Sequence, residues 1–240
     1  MIFLVLLLSA LFAGRAGAAW DITAAAQFVT LADNAALTIP DGDFSICGWF
    51  KKDTNAGTGF GVIQGWDTIN ANPSANIYCR EASNATAPNS ISVLFEDATA
   101  NEQVAFNSSG TPCATTTWQQ LCFIRSGASV FTLYLANSSI GTETDTAVDA
   151  IDVAGSWRMG VEGDGAGSDY MDGALAEWAK WDRALTADER ATLQKYTPRC
   201  VPGFAWYTPS VREYIEIKAG IAVTNTSTVA LAHPPLIDCY

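Results

Sequence analysis

The segment 169–193 constrains the fold more than any other part of the sequence, because a strand signal runs directly into a helix start. Strand-type alternation assigns its residues to opposite faces: Leu175, Ala179 and Trp181 to one, Ala176, Trp178 and Lys180 to the other. Thr186 and Glu189 then have the spacing of a capping box. The segment therefore predicts a half-buried strand followed at once by a short helix over 187–195, ended by Pro198.

This segment resembles the closing strand, turn and helix of laminin-G-like domains in the concanavalin A-like lectin/glucanase superfamily. The likeness rests on the run 173–186, where a Gly-x-Leu-x-Glu strand leads through an aromatic residue to Arg183-Ala184-Leu185-Thr186. Ala176 stands where the family often has Asp. The run 43–51 resembles the opening of the same family, in which Phe-Ser-Ile precedes a Trp and a Lys.

A third likeness is the hairpin 118–137, a Trp-x-x-Leu-x-Phe strand that turns at Ser126-Gly127 into a Leu-Tyr-x-x-Asn strand. Ser138 replaces the usual Gly of the family, which predicts a looser turn. The three matches cover both ends and the middle of the proposed domain. The resemblance implies an all-β fold: a concanavalin A-like β-sandwich (jelly roll) with one short C-terminal helix and a β-rich tail.

Short runs rich in β-branched and aromatic residues, separated by Asn, Ser, Gly and Pro clusters, predict the remaining strands. They lie at 28–31, 60–66, 76–80, 90–95, 102–106, 130–137 and 157–161. Within 43–51, Phe44, Ile46 and Phe50 share one face at period two. We divide the chain into a signal peptide (1–18), a laminin-G-like β-sandwich (19–197) and a C-terminal β-rich extension (198–240), which packs on the sandwich or on a neighbouring chain.

The N-terminal apolar run 2–12 is too short to cross a bilayer, which takes about 20 residues. Because Ala16-Gly17-Ala18 follows it as a small-x-small site, it predicts a secretory signal peptide and an extracellular protein. The alternatives are a mis-assigned start or a hydrophobic N-terminal arm. Export permits disulfides, and the cysteine count of 6 is even.

The sequence does not determine how the cysteines pair. Cys200 and Cys239 bracket the C-terminal segment and are the first candidate pair. Cys113 and Cys122 could close a hairpin. Alternatively, Cys47 and Cys122 lie in strand-like runs, where a buried free thiol is an ordinary small hydrophobe.

Composition and motifs exclude several functions. A chain that is 49% hydrophobic and 16% charged is not disordered, and its net charge of −12 argues against a nucleic-acid partner. His233 is the single histidine, so neither a zinc site nor a Ser-His-Asp triad is expected. Glu143-x-Asp145 and Glu162-x-Asp164 lack the closing Glu of the glucanase motif. The chain is therefore predicted not to be an enzyme.

Calcium is the ion that the sequence supports best, because loops dense in Asp and Gly supply the oxygen ligands it prefers. The resemblance implies that two such loops come together around a structural calcium. The candidate ligands are Asp33, Asn34, Asp164, Asp169 and Asp172. The alternative is that these residues are solvated turn formers.

Carbohydrate recognition requires an exposed aromatic face beside hydrogen-bonding groups. The candidates are Trp66 with Asp67 and Asn70, and then Tyr170. Four other tryptophans are assigned to packing: Trp49, Trp118, Trp178 and Trp181.

We therefore predict a secreted, non-catalytic binding or adhesion module that recognises glycans or cell-surface proteins, has no membrane span and could form a homo-oligomer. The alternative is a structural surface component of a virion or appendage that assembles through its tail.

Overall fold

The computed structural model describes most of the region 19–208 and two short segments beyond it. The described residues are 19–22, 29–31, 35–52, 60–66, 74–80, 82, 85–96, 103–114, 116–127, 129–145, 150–151, 157–160, 173–208, 223–225 and 228–230. No helix in this part of the chain is long and apolar enough to span a bilayer.

Two antiparallel sheets make up the sandwich. The first contains β1 (Ala19–Ile22), β3 (Phe44–Lys52), β8 (Gln119–Ser126), β9 (Val130–Leu135), β10 (Ser138–Thr144), β12 (Gly173–Trp181), β13 (Phe204–Thr208) and β15 (Thr228–Ala230). The second contains β2 (Val29–Leu31), β4 (Phe60–Trp66), β5 (Ser74–Cys79), β6 (Ile91–Glu96), β7 (Gln103–Asn107), β11 (Trp157–Met159) and β14 (Val223–Asn225). Three 3-10 turns lie at Ala35–Leu37, Pro112–Ala114 and Pro198–Cys200.

The strand order in the first sheet is β10-β9-β8-β3-β12-β1-β15, with β13 also paired to β12. In the second sheet it is β14-β2-β11-β4-β5-β6-β7. The predicted all-β, concanavalin A-like sandwich is confirmed. The predicted strands are all present, with ends that differ by one or two residues.

Aromatic side chains from both sheets fill the space between them. The ring of Phe123 lies 4.7 Å from that of Phe95 and 5.7 Å from that of Phe44. The predicted shared face of Phe44, Ile46 and Phe50 is confirmed, because all three are fully buried in this core. Apolar burial on this scale is the main stabilising contribution to a sandwich.

A β-bulge interrupts the pairing of β12 with β3. Glu177 and Trp178 together face the single residue Gly48, and Glu177 has a φ of 55°. A Cβ atom at Gly48 would lie 2.2 Å from the indole of Trp178, so only glycine fits beneath this ring.

The bulge also exchanges the faces of β12. Leu175 and, beyond the bulge, Trp178 lie in the core between the sheets, whereas Ala179 and Trp181 lie in a second core on the outer side of the first sheet. The prediction that Leu175, Ala179 and Trp181 share one face is therefore wrong, because the extra residue shifts the strand period by one.

The predicted helix is present as α1 (Ala187–Leu193), two residues shorter than expected. Its capping box is confirmed: Thr186 Oγ1 accepts from the Glu189 amide at 3.3 Å, and the Glu189 carboxylate accepts from the Thr186 amide at 2.9 Å. Arg183 donates two hydrogen bonds to the same carboxylate, at 2.9 and 2.6 Å. These bonds lower the pKa of Glu189 to about 2.

Helix α1 covers part of the outer face of the first sheet. Leu185 and Leu193 pack with Trp181, whose Nε1 donates to the Val201 carbonyl at 3.1 Å. The first sheet is thus buried on both faces over this region, and every residue of β12 is buried.

The turn between β9 and β10 is tighter than predicted. Ala136 and Asn137 have φ values of 46° and 67°, as a two-residue type I′ hairpin turn requires. Ser138 is already the first residue of β10, so its replacement of the family's Gly does not loosen the turn. Asn137 Nδ2 donates to the Ala187 carbonyl and its Oδ1 accepts from Arg190 Nε at 2.8 Å, which ties the turn to α1.

Two disulfides join cysteines that both lie among the described residues. Cys47 and Cys122 are register partners on β3 and β8, with a Cα–Cα distance of 4.1 Å. Cys79 at the end of β5 is bonded to Cys113. The predicted Cys113–Cys122 pair and the alternative of free thiols at Cys47 and Cys122 are therefore wrong, because the sequence does not show which strands are adjacent.

The C-terminal extension adds strands to both sheets. β13 pairs with β12, β14 with β2 and β15 with β1. Cys200 is disulfide-bonded. Its predicted partner Cys239 lies outside the described residues, as do the predicted signal peptide and His233, so that pairing stays a prediction.

Candidate binding face

Most of the predicted site residues fall outside the described part of the chain. These are the calcium candidates Asp33, Asn34, Asp164, Asp169 and Asp172, and the carbohydrate candidates Asp67, Asn70 and Tyr170. The backbone places Trp66 at the last position of β4, opposite Ser74. Their roles stay predictions.

The described strands nevertheless show where the two groups of calcium candidates attach. Lys180 Nζ donates to the Ala36 carbonyl at 3.2 Å, so the residues just after Asn34 lie beside the C-terminal end of β12. The segment 161–172 leads instead into Gly173, at the other end of that strand. The two ends are about 20 Å apart at ~3.3 Å per residue. A single ion would require the segment 161–172 to bridge this span.

The second sheet brings the calcium candidate Asp33 and the carbohydrate candidate Asp67 to segments that follow nearby strand ends. Leu31 of β2 and Gly65 of β4 both pair with Trp157 of β11. The segment with Asp33 and the segment with Asp67 therefore start at the same end of this sheet.

The outer face of the second sheet is polar, because β5 alternates strictly. Ala75, Ile77 and Cys79 point into the core between the sheets. The intervening residues point outward: Asn76, Tyr78 and Arg80. Ser92 of β6 is the register partner of Tyr78, and Asn107 of β7 is the partner of Ser92. We call the set Asn76, Tyr78, Arg80, Ser92 and Asn107 the polar face.

A hydrogen-bond network fixes Arg80 on the polar face. Its Nε donates to Ser92 Oγ and to Asn107 Oδ1, the latter at 2.9 Å, and its Nη2 donates to the Tyr78 hydroxyl at 3.3 Å. Ser92 Oγ in turn donates to Asn107 Oδ1. The guanidinium lies over the Tyr78 ring, 5.6 Å from its centroid. The arginine is therefore held in one orientation rather than extended into solvent.

Asn76 lies on the same face but has an unmet hydrogen-bonding requirement. Its side chain is 2% exposed and its Oδ1 has no hydrogen-bond partner. A buried polar atom left in this way costs about 1–3 kcal/mol. Asn76 is in cross-strand register with Gln64, and Gln64 with Arg158. A second arginine thus belongs to the same cross-strand row.

The polar face presents hydroxyl, amide, phenol and guanidinium groups in fixed positions, the donor and acceptor set that suits a polyhydroxylated ligand. Glu96 is the one carboxylate on the outer side of the second sheet among the described side chains. A glycosidase requires two carboxylates that flank the bond. The described part of this face therefore lacks that pair.

A cleft on the first sheet is a weaker candidate. Glu177, Gln120 and Trp49 line it together with Leu193 and Pro198 at the end of α1. It encloses no space for a water molecule, and its empty volume of about 170 Å³ includes open solvent, so it does not form a ligand cavity. Ala176 packs beside it against Trp49 and Trp118, so an Asp at this position would place its carboxylate in an apolar cluster.

The polar face was not predicted, although the sequence carries a signal for it. Residues 75–80 alternate apolar and polar groups, which indicates a strand with one solvent-facing side. Only the strand order shows that Ser92 and Asn107 join that side.

Comparison with known proteins agrees with the observed fold. The laminin-G family model of the concanavalin A-like lectin/glucanases superfamily matches residues 23–189. The chain belongs to this superfamily. No curated protein matches its sequence.

Solved structures show the same superfamily fold. A candidate carbohydrate-binding protein from Bacteroides ovatus superposes with a TM-score of 0.68 at 14% identity, over 92% of this chain and 61% of that one. The heptameric SAP-like pentraxin from Limulus polyphemus gives 0.55 at 17% identity, over 90% and 94%. The receptor-binding domain of botulinum neurotoxin D gives 0.53 at 11%, over 72% and 42%. This chain thus spans less than two thirds of the Bacteroides and toxin chains.

Proposed function

We propose that the protein is a secreted, non-catalytic glycan-binding module whose binding surface is the polar face. The observation that carries the proposal is the Arg80 network, because it holds donors and acceptors from three strands in fixed positions on the outer face of the second sheet, where Arg80 is half-buried and Asn107 is exposed. Groups held before the ligand arrives lose little conformational entropy on binding.

Proteins of similar fold support this proposal. The Bacteroides ovatus protein is described as carbohydrate-binding, and the botulinum neurotoxin domain as receptor-binding. Their low sequence identity means that they support the class of function and not the position of the site. The two disulfides support an extracellular location, because disulfides persist mainly in oxidising compartments.

A glycan array with three proteins tests the proposal. The wild-type protein should bind a defined group of glycans. Asn107→Ala, at an exposed position of the polar face, should weaken that binding about 10-fold, as expected for loss of a hydrogen bond to a charged partner. Thr144→Ala, at an exposed position of β10 on the other sheet, is the matched control and should bind as the wild type does. A folded wild-type protein that binds no glycan would contradict the proposal.

The proposal includes a structural calcium, whose candidate ligands are those named from the sequence. The thermal midpoint of unfolding, measured with calcium and then with a chelator, tests this part separately. Bound calcium stabilises the folded state by mass action and should raise the midpoint. An unchanged midpoint would remove calcium from the proposal and leave the polar face untouched.

The alternative of a virion or appendage component that assembles through its tail has less support. β14 and β15 pair with β2 and β1 of the same chain. Mass measurement in solution tests it, since a large homo-oligomer would favour assembly.

A further inference from the structure

Arg80 is one of the cations of the described residues that have no carboxylate partner, together with Arg190 and Lys195. Three ion pairs occur among them: Arg125 with Asp41, Lys180 with Asp182, and Arg183 with Glu189. Arg80 has no such partner within the described part of the chain, in a protein with 13 basic and 25 acidic residues. A cation without a carboxylate partner is notable in this protein, because acidic residues are about twice as common as basic ones.

The network leaves one side of the guanidinium available. An arginine has five N–H donors. The single Nε–H is shared between Ser92 and Asn107, and one Nη2–H is directed to Tyr78. The second Nη2–H and both Nη1–H groups have no partner among the described residues. Two adjacent N–H groups on Nη1 and Nη2 form the fork that binds a carboxylate or sulfate in a bidentate manner.

The surroundings of Arg80 favour an anion that is carried by a polar ligand. Ser92 is 2% exposed, so the inner edge of the guanidinium is dry, whereas Asn107 is exposed. A partly desolvated cation attracts an anion more strongly than one in bulk water. Asn76 lies one cross-strand row from Tyr78 and two from Arg80, and its unpartnered Oδ1 is buried. The groups open to a ligand are therefore those around Arg80 and Asn107.

We propose that the polar face binds sugars that carry an anionic oxygen group, a carboxylate or a sulfate ester, and that Arg80 is the residue that anchors this group. The inference rests on the proposed glycan-binding function and specifies its ligand class. The anion occupies the Nη1 and Nη2 fork of Arg80, while the exposed amide of Asn107 binds a ring hydroxyl. A purely structural role for Arg80, tying β5 to β6 and β7, predicts no preference for charged sugars.

Calorimetric titration with matched pairs of oligosaccharides tests the inference. One pair is an oligouronate and its methyl ester, and the other is a sulfated oligosaccharide and its desulfated form. The first pair reports on carboxylate recognition and the second on sulfate recognition. The wild-type protein should bind at least one charged member about 10- to 100-fold more tightly than its neutral counterpart, the range expected for hydrogen bonds to a charged group.

Three variants identify the residue responsible. Arg80→Gln should abolish the preference for the charged member. Asn107→Asp keeps the shape of the network but adds a carboxylate beside the guanidinium, so it should weaken binding of the charged sugar about 10-fold or more without removing a packing group. Lys195→Gln removes an exposed cation at the end of α1 and should leave the preference unchanged. Unchanged thermal midpoints for Asn107→Asp and Lys195→Gln keep the comparison valid even where Arg80→Gln folds poorly.

The outcomes separate the inference from the proposed function. Equal binding of charged and neutral members by the wild type overturns the inference and leaves the glycan-binding function in place. A preference that Asn107→Asp retains also overturns it, because the anchor would then lie elsewhere. Absence of binding to every member of the pairs and to the glycan array overturns both.

Discussion

On the outer face of the first sheet Trp181 is fully buried beneath α1, and its one polar atom donates to the Val201 carbonyl. On the outer face of the second sheet Asn76 is almost equally buried, yet its Oδ1 has no partner. These two buried side chains therefore differ, because the indole of Trp181 completes its hydrogen bond and the amide of Asn76 does not. A buried polar atom without a partner reduces stability, and a bound water, ion or ligand can complete its hydrogen bond.

The largest expected effect concerns the packed side. Trp181→Ala should reduce the free energy of unfolding by about 3–5 kcal/mol, because it leaves a cavity under α1 and an unpartnered carbonyl at Val201. Chemical denaturation measures this loss, and Trp181→Phe, which retains most of the ring, should lose less. Glycan affinity of the remaining folded protein should be unchanged. A specific loss of affinity would contradict the division between the two faces.

The Cys47–Cys122 disulfide lies in the first sheet and the Cys79–Cys113 disulfide beside the polar face, so removing each one tests the difference between the two sheets. Replacing Cys47 and Cys122 together with Ala, or Cys79 and Cys113 together with Ala, should each reduce the free energy of unfolding by about 2–4 kcal/mol. Only the second change should weaken glycan binding, because Cys79 lies between Tyr78 and Arg80 in the chain and Cys113 Sγ contacts the Ser90 carbonyl that accepts from the Arg80 amide. Equal effects of the two double variants on affinity would show that the disulfides act on the fold as a whole.

Asn76→Leu should separate stability from binding in the opposite direction. Leucine has a similar volume and removes the unpartnered oxygen, so the variant should be more stable by about 1 kcal/mol. Glycan affinity should stay unchanged, because the Asn76 side chain is buried. Thermal unfolding and titration on one preparation measure both quantities. A less stable variant would indicate that the amide contributes to the fold.

The smallest expected effect is the pH dependence of the capping box. The folded-state pKa of Glu189 is about 2, below its ordinary value of 4.5. The carboxylate therefore stabilises the protein fully above pH ~4.5 and loses this contribution as the pH falls towards 2. Glu189→Gln should reduce stability at pH 7 by about 1 kcal/mol, and the difference from wild type should shrink in acid. If the stability difference between Glu189→Gln and the wild type did not change with pH, the loss would come from the altered hydrogen-bond geometry and not from the lost charge.

Much of the fold was predictable because local signals determine it. The period-two runs placed the strands, and Thr186 with Glu189 located the helix start to the residue. The bulge at Glu177 was not predictable, since a glutamate with a φ of 55° carries no sequence signature and its position depends on the fit of Trp178 over Gly48.

The candidate site was less accessible to sequence analysis. Trp66 and the acidic loops were chosen for composition, whereas Arg80 matters because of neighbours that are 12 and 27 residues away in sequence. Such contacts follow from strand order, which local patterns do not encode. The same holds for the disulfide between Cys47 and Cys122. It could not be predicted from the sequence, because only the strand order shows that β3 and β8 are adjacent.

The position of β1 affects how the chain can acquire its fold. This strand lies between β12 and β15, so its hydrogen-bonding partners are residues 173–175 on one side and 228–230 on the other. β1 is synthesised before every other described strand, whereas its partner β15 is synthesised after all of them. Such non-local pairing slows folding, since loop closure must precede the contacts that reward it. The first sheet therefore stays incomplete until residues 228–230 have been synthesised.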